Sequence, residues 1–254
     1  MLMKRLLLDL GNSKLKWALV SGGAILESGE RSSFSAQWLT SFLSMQPDVS
    51  EGLLSSVTVT GEEVRAAFPA DFRLLEVRPE GPLPIRSAYK TPQTLGRDRL
   101  AAVLGAWSLF PGEHVLVVDA GTCLKYDLLD AAGLYRGGAI SPGISMRFEA
   151  LHSFTERLPR LSWSGGLASF PGVSSEGSIR AGVEQGVLHE VRGFWTDLLK
   201  QVPDARLVIT GGDGGWLAKN LGNSNFARPF LVFHGLDALS NFYLNLPSDA
   251  QPLL

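Results

Sequence analysis

Apolar residues along this chain fall into short runs cut by glycine turns, and one such pattern occurs twice. Leu6-Leu7-Leu8 runs into Asp9-Leu10-Gly11-Asn12-Ser13, and Val115-Leu116-Val117-Val118 runs into Asp119-Ala120-Gly121-Thr122-Cys123. A second strand-like stretch follows each turn, Leu15 to Val20 and Leu124 to Leu129. Each unit reads as a buried strand, a glycine turn bearing an acidic residue and a hydroxyl, and a returning strand.

Around these units strands and helices alternate. The first half predicts strands near 4–10, 14–20, 23–29, 52–58 and 73–77, with helices over 35–45 and 61–69. Glu80 to Pro92 carries Pro82, Pro84 and Pro92, which remove donors and fix φ, so a loop is expected there. A helix over 98–109 follows, with Leu100, Val103, Leu104 and Trp107 on one face. The second half predicts strands at 114–119 and 123–130, then a passage through Gly137-Gly138 to a Pro142-Gly143 turn. A helix over 144–153, an irregular Gly/Ser-rich stretch to 174 and a long helix over 176–200 come next. Leu207-Val208-Ile209 is a buried strand entering Thr210-Gly211-Gly212 and a helix. Phe230 to Leu246 predicts one more strand and helix, and Pro247 to Leu254 is expected to fray. The fold class is α/β in two similar halves, 1–112 and 113–254, with a last helix able to pack back on the first half.

The turns bring in the chemistry. Without a Cβ in the way, a glycine turn exposes backbone N–H groups to an anion, and an adjacent Asp can hold Mg²⁺ directly or through water. Two such turns facing each other would clamp a nucleoside triphosphate, which points to an ATP-handling enzyme. Composition narrows the field further. The 254 residues are 45% hydrophobic and 19% charged with a formal charge of −2, so nothing argues for nucleic acid or a membrane surface as partner. No apolar run reaches the roughly 18–20 residues of a membrane span, and three leucines after Arg5 are too few for a signal-peptide core. A lone cysteine, Cys123, fits a reducing compartment, so a cytoplasmic protein is expected. Cys123 reads as a packing residue, and the four histidines lack metal-ligand spacing.

Taken in order, the segments Asp9 to Lys16, Tyr89 to Arg99, Asp119 to Asp127, Gly137 to Gly143, Ala150 to Pro159 and Thr210 to Gly212 resemble type III pantothenate kinase. That family belongs to the acetate kinase–sugar kinase–Hsp70–actin ATPase superfamily. The resemblance implies two actin-like, ribonuclease H-like domains with a central active-site cleft, and transfer of the ATP γ-phosphoryl group to the hydroxyl of pantothenate. It further implies a homodimer, Mg²⁺, and a monovalent cation, K⁺ or NH₄⁺. By position, Asp9, Leu10, Gly11, Asn12, Ser13, Lys14, Leu15 and Lys16 match the first phosphate loop, with Asp9 orienting Mg²⁺ or its waters. Thr122 matches an ATP contact and Asp119 the monovalent-cation ligand. Tyr89, Gly96, Arg97, Asp98, Arg99 and Ser175 match substrate-contacting positions, with Asp98 as the proton acceptor for pantothenate. Thr210-Gly211-Gly212 is consistent with an adenosine motif.

The residues by themselves admit plainer readings. Asp98 can cap a helix between two solvated arginines, Tyr89 can pack its ring against the core, and Ser175 can be an N-cap. Lys16 on a strand can face solvent. Lys125 stands where the family usually has a small or hydroxyl residue. Its ammonium either points to water or reaches Asp119 and replaces the cation. Another small-metabolite kinase of the superfamily, or a nucleotide-binding regulatory homologue without kinase activity, are the alternative functions.

Overall fold

The computed structural model describes residues 4–11, 14–57, 59–222 and 226–254. The chain divides into two units: 1–111 with 133–135 and 230–254, and 112–132 with 136–229.

In the first unit, β1 (Lys4–Leu10), β2 (Leu15–Ser21) and β3 (Ala24–Arg31) form an antiparallel meander. β4 (Val49–Ser56) joins β1 in parallel and β5 (Arg73–Glu76) joins β4, giving the order β3-β2-β1-β4-β5. Two-residue alternation sends Leu6, Leu8 and Leu10 to one face, where they meet Leu39, Phe42 and Leu43 of α1 (Ala36–Ser44) and Val64 of α2 (Gly61–Arg65). The other face carries α3 (Arg97–Leu109) and α7 (Leu231–Leu244). α3 is buried continuously from Arg99 to Ala106, where periodicity predicts one apolar face. Its small residues explain the difference. A Cβ on Gly105 would lie 2.1 Å from the Leu231 carbonyl oxygen, and one on Gly235 would lie 1.8 Å from that of Ala101. The two helices therefore meet backbone to backbone.

Three expectations are corrected in this unit. The proline-rich loop contains a short strand, β6 (Arg86–Ser87), paired in parallel with Leu134 and Tyr135. The tail from 230 forms helix without a preceding strand. Pro247 to Leu254 does not fray: Glu76 N–H donates to the Pro252 carbonyl, Leu254 N–H donates to that of Leu74, and the Leu254 side chain packs on the core. Helix α2 also stops at Arg65, four residues short of the predicted end, because Pro69 disfavours helical backbone before it.

The second unit repeats the plan. β7 (Val115–Ala120), β8 (Cys123–Leu129) and β9 (Leu134–Pro142) lie side by side, and β10 (Arg206–Thr210) adds to β7 in parallel. The order β9-β8-β7-β10 matches β3-β2-β1-β4. α4 (Ile144–Ser153), α5 (Ser175–Gln201) and α6 (Gly214–Asn220) complete it, with Phe148, Ile179, Val183, Val187, Val191 and Leu217 in the core. β9 runs through Gly137-Gly138, which the sequence reading left without a strand, and ends at Pro142. A Cβ on Gly138 would sit 1.6 Å from the Tyr126 carbonyl oxygen, so glycine here permits close strand approach instead of breaking the strand. No helix among the described residues is long and apolar enough to cross a membrane.

Candidate active site

In the first unit the candidate residues converge through β4. Asp9 ends β1, is 8% exposed, and accepts a hydrogen bond from Ser55 Oγ at 3.2 Å. Strand register places Asp9 opposite Ser55 on one side and opposite Lys16 on the other. Lys16 is half-buried and shares the Asp9 face, since directly opposed residues project to the same side. Gly11 N–H donates to the Lys14 carbonyl, closing the turn, and exposed Lys14 pairs with Glu30. Leu10 and Leu15 are buried, so any role in ATP binding falls to their backbone. Asn12 and Ser13 lie outside the described residues.

Arg97, Asp98 and Arg99 open α3 behind Gly96. The arginines are not solvated. Arg97 Nη1 lies 2.6 Å from Glu76 Oε1 and donates to the Ser56 carbonyl at 3.1 Å. Because Ser56 is the register partner of Leu10, this contact sets the start of α3 beside the β1 end that carries Asp9. Asp98 is the second helical residue rather than the N-cap, which is Gly96, and its Oδ1 accepts from Arg99 N–H at 2.9 Å. A Cβ on residue 96 would approach that oxygen to 2.6 Å, so glycine leaves the carboxylate room. Arg99 is 5% exposed and turns to Tyr89. Nη1 donates to the phenol oxygen at 3.4 Å, and the guanidinium stands 5.6 Å from the ring centroid. The Tyr89 ring also stacks on Tyr135 at 5.9 Å. The structure thus brings Tyr89, Asp98 and Arg99 to one helix start.

In the second unit, Asp119 ends β7 as Asp9 ends β1. Lys125 lies directly opposite Asp119 in the β7–β8 register, with Nζ 2.8 Å from Oδ2. The turn at Gly121-Thr122 joins the two strands. Thr122 is exposed on that turn, and its carbonyl accepts from Gly143 N–H at 3.1 Å. Half-buried Cys123 begins β8. Gly211 has φ +90, and a Cβ there would meet Asp119 Oδ1 at 2.5 Å, so the Thr210-Gly211-Gly212 backbone abuts the Asp119 carboxylate. Asp213, which sequence reasoning passes over, follows directly. Burial and the neighbouring Asp119 raise its carboxyl above the ordinary value. Ser175 is exposed at the first position of α5, and the cap is Ser174, whose Oγ accepts from Gly177 N–H at 3.0 Å. A further cluster also escapes a sequence reading. Glu190 accepts from Tyr126 Oη at 2.8 Å and Ser141 Oγ at 2.5 Å, and it pairs with Arg147 at 2.5 Å. Burial pushes Glu190 up, but these three partners outweigh it and the carboxyl is held below its ordinary value. Burial and Glu190 push the Tyr126 phenol up.

Among the described residues no group of three or more His, Cys, Asp or Glu could hold a metal by itself. Single carboxylates at strand ends suit Mg²⁺ differently. This ion usually keeps waters and binds through one or two carboxylates together with substrate phosphates, so Asp9 fits it.

Comparison with known proteins gives the family and the fold. Residues 5–197 match the family model described as type III pantothenate kinase. The type III pantothenate kinase of Phocaeicola vulgatus is 42% identical over 238 residues, 93% of this chain and 98% of that protein. Among solved structures, the activator of the 2-hydroxyisocaproyl-CoA dehydratase from Clostridium difficile, with bound ADPNP, superimposes with a TM-score of 0.52 at 12% identity, covering 94% of both chains. MreB5 of Spiroplasma citri, bound to ADP, does so with a TM-score of 0.52 at 11% identity, covering 94% of this chain and 97% of that one. These likenesses show the fold, α/β with two mixed five-stranded sheets of the actin-like kind.

Proposed function

The chain belongs to the type III pantothenate kinase family, and from that premise we propose how its residues carry the reaction. The protein is an ATP-dependent kinase that phosphorylates pantothenate in the first step of coenzyme A synthesis. A divalent metal accompanies ATP, and Mg²⁺ is the ion proposed. When bound beside Asp9, it would neutralise charge on the phosphate oxygens. Asp9, held by Ser55, orients it or its waters. Backbone N–H groups of the 9–16 turn, with Lys14 and Lys16, and Thr122 on the second turn contact ATP.

Asp98 accepts the hydrogen bond, and then the proton, of the pantothenate primary hydroxyl. The hydroxyl oxygen forms the new bond to the γ-phosphorus as the bond to the β-phosphate oxygen breaks, releasing ADP. With a loose transition state, Asp98 matters chiefly for aligning the nucleophile. Arg99 offers the planar fork that suits the pantothenate carboxylate, steadied by Tyr89, while Gly96 and Arg97 shape the adjoining backbone. Ser175 contributes a hydroxyl to the substrate. The protein acts as a homodimer. Phe194 on α5, 44% exposed, is an apolar group available for such contact, whereas Val187 and Val191 are consumed by the unit's own core.

The observation that carries this reading is the anchoring of the Asp98 helix start, through Arg97 and Ser56, beside the strand end bearing Asp9. The test compares wild type with Asp98→Asn in steady-state turnover and in nucleotide titration. The expected result is a fall in kcat of about 10²–10⁴-fold with nucleotide affinity retained. An Asp98→Asn enzyme with wild-type kcat contradicts the assignment.

A further inference from the structure

Lys125, on the strand that follows the second turn, is a residue for which the reaction above has no use. Its place is nevertheless specific. It lies on β8 directly opposite Asp119, so the two side chains leave the same face of the hairpin. The ammonium sits 2.8 Å from Asp119 Oδ2, within the range of a charge-assisted N–H···O bond, and the two side chains are only 21% and 16% exposed. The other carboxylate oxygen, Oδ1, lies against the Gly211 backbone, where a single added Cβ would come within 2.5 Å.

A hydrated monovalent cation needs several oxygens around it and open space on its ligand. Asp119 offers neither, with one oxygen taken by an ammonium and the other crowded by backbone. A second positive charge would also face like-charge repulsion from Nζ. Chemically, the head of a lysine is NH₄⁺ on a tether: three N–H donors and one positive charge.

We propose that Lys125 is a built-in replacement for the monovalent cation, its ammonium neutralising Asp119 so that nucleotide binding and turnover proceed without K⁺ or NH₄⁺. The proposal rests on the reading of Asp119, Gly121 and Thr122 as the second phosphate loop. It makes the enzyme's activity insensitive to changes in potassium, a regulatory property set by one side chain.

The test is calorimetric titration of the purified chain with the Mg²⁺ complex of a non-hydrolysable ATP analogue. Choline chloride, KCl and NH₄Cl are compared at equal ionic strength, for wild type and Lys125→Thr, with ADP release measured in the same salts. Wild-type affinity and rate are expected to agree across the three salts within about twofold. Lys125→Thr, shown to be folded by circular dichroism, is expected to lose about tenfold in nucleotide affinity in choline chloride and regain most of it with K⁺ or NH₄⁺. Two results overturn the proposal. One is a wild-type affinity that rises about tenfold with K⁺, which needs no variant to observe. The other is a folded Lys125→Thr protein that responds to K⁺ no more than wild type. Failure of the kinase reading looks different: no pantothenate-dependent ADP release in any salt, with the titrations still deciding the role of Lys125.

Discussion

Glu190 illustrates how single residues here are held by partners far away in the chain. Its carboxylate receives Tyr126, Ser141 and Arg147, and its pKa is lowered in the folded protein. A depressed carboxyl stabilises the fold above its unfolded value, near 4.5, and that contribution drains away as pH falls through the lower folded value. Glu190→Gln should therefore lose about 1–3 kcal/mol at neutral pH. Its urea midpoint should also depend less on pH than the wild type's on the acid side, and parallel acid limbs for the two proteins would contradict this. Little of the cluster is legible in sequence, because its members lie on β8, β9, α4 and α5. Asp98 differs. It stands out as a candidate in Gly96-Arg97-Asp98-Arg99, yet the anchoring of Arg97 to Glu76 and Ser56 does not, since no local pattern links those positions. The position of Lys125 was open to a register count: with Ala120 paired to Leu124, Asp119 must face residue 125.

At the scale of elements, close backbone approach decides what the hydrophobic pattern cannot. α3 and α7 touch at Gly105 and Gly235, and β9 touches β8 at Gly138. Gly235→Ala pushes a methyl onto the Ala101 carbonyl, with an expected cost of about 1–3 kcal/mol. The melting temperature should fall by about 2–4 °C for each kcal/mol. An unchanged melting temperature would show that the helices separate freely. The same glycines explain where pattern reading stops. The strand through Gly137-Gly138 is missed because contact with another strand leaves no mark in local periodicity. The tail misleads for the converse reason. Pro252 and Leu254 find partners in β5 that lie far away in sequence. Strands ending in an acidic residue and glycine are easily read, since the run of apolar residues and its punctuation are both local.

At the scale of the molecule, the two units share one plan: three neighbouring strands with a fourth added in parallel, and an aspartate at the end of the first. Each of those aspartates stands opposite a lysine, Lys16 for Asp9 and Lys125 for Asp119. This symmetry follows from the doubled sequence motif. The proposed acceptor site does not, because Tyr89 and Asp98 belong to one half only and have no counterpart in the repeated motif. Under the proposed mechanism the doubled turns handle the nucleotide, and the segment from Tyr89 to Arg99 handles the acceptor. The most direct measurement is ADP formation from Mg²⁺ and ATP, with and without pantothenate, with the product identified by mass spectrometry. ADP release is expected to require pantothenate and to match phosphopantothenate mole for mole. Bound nucleotide with no phosphopantothenate formed would contradict it.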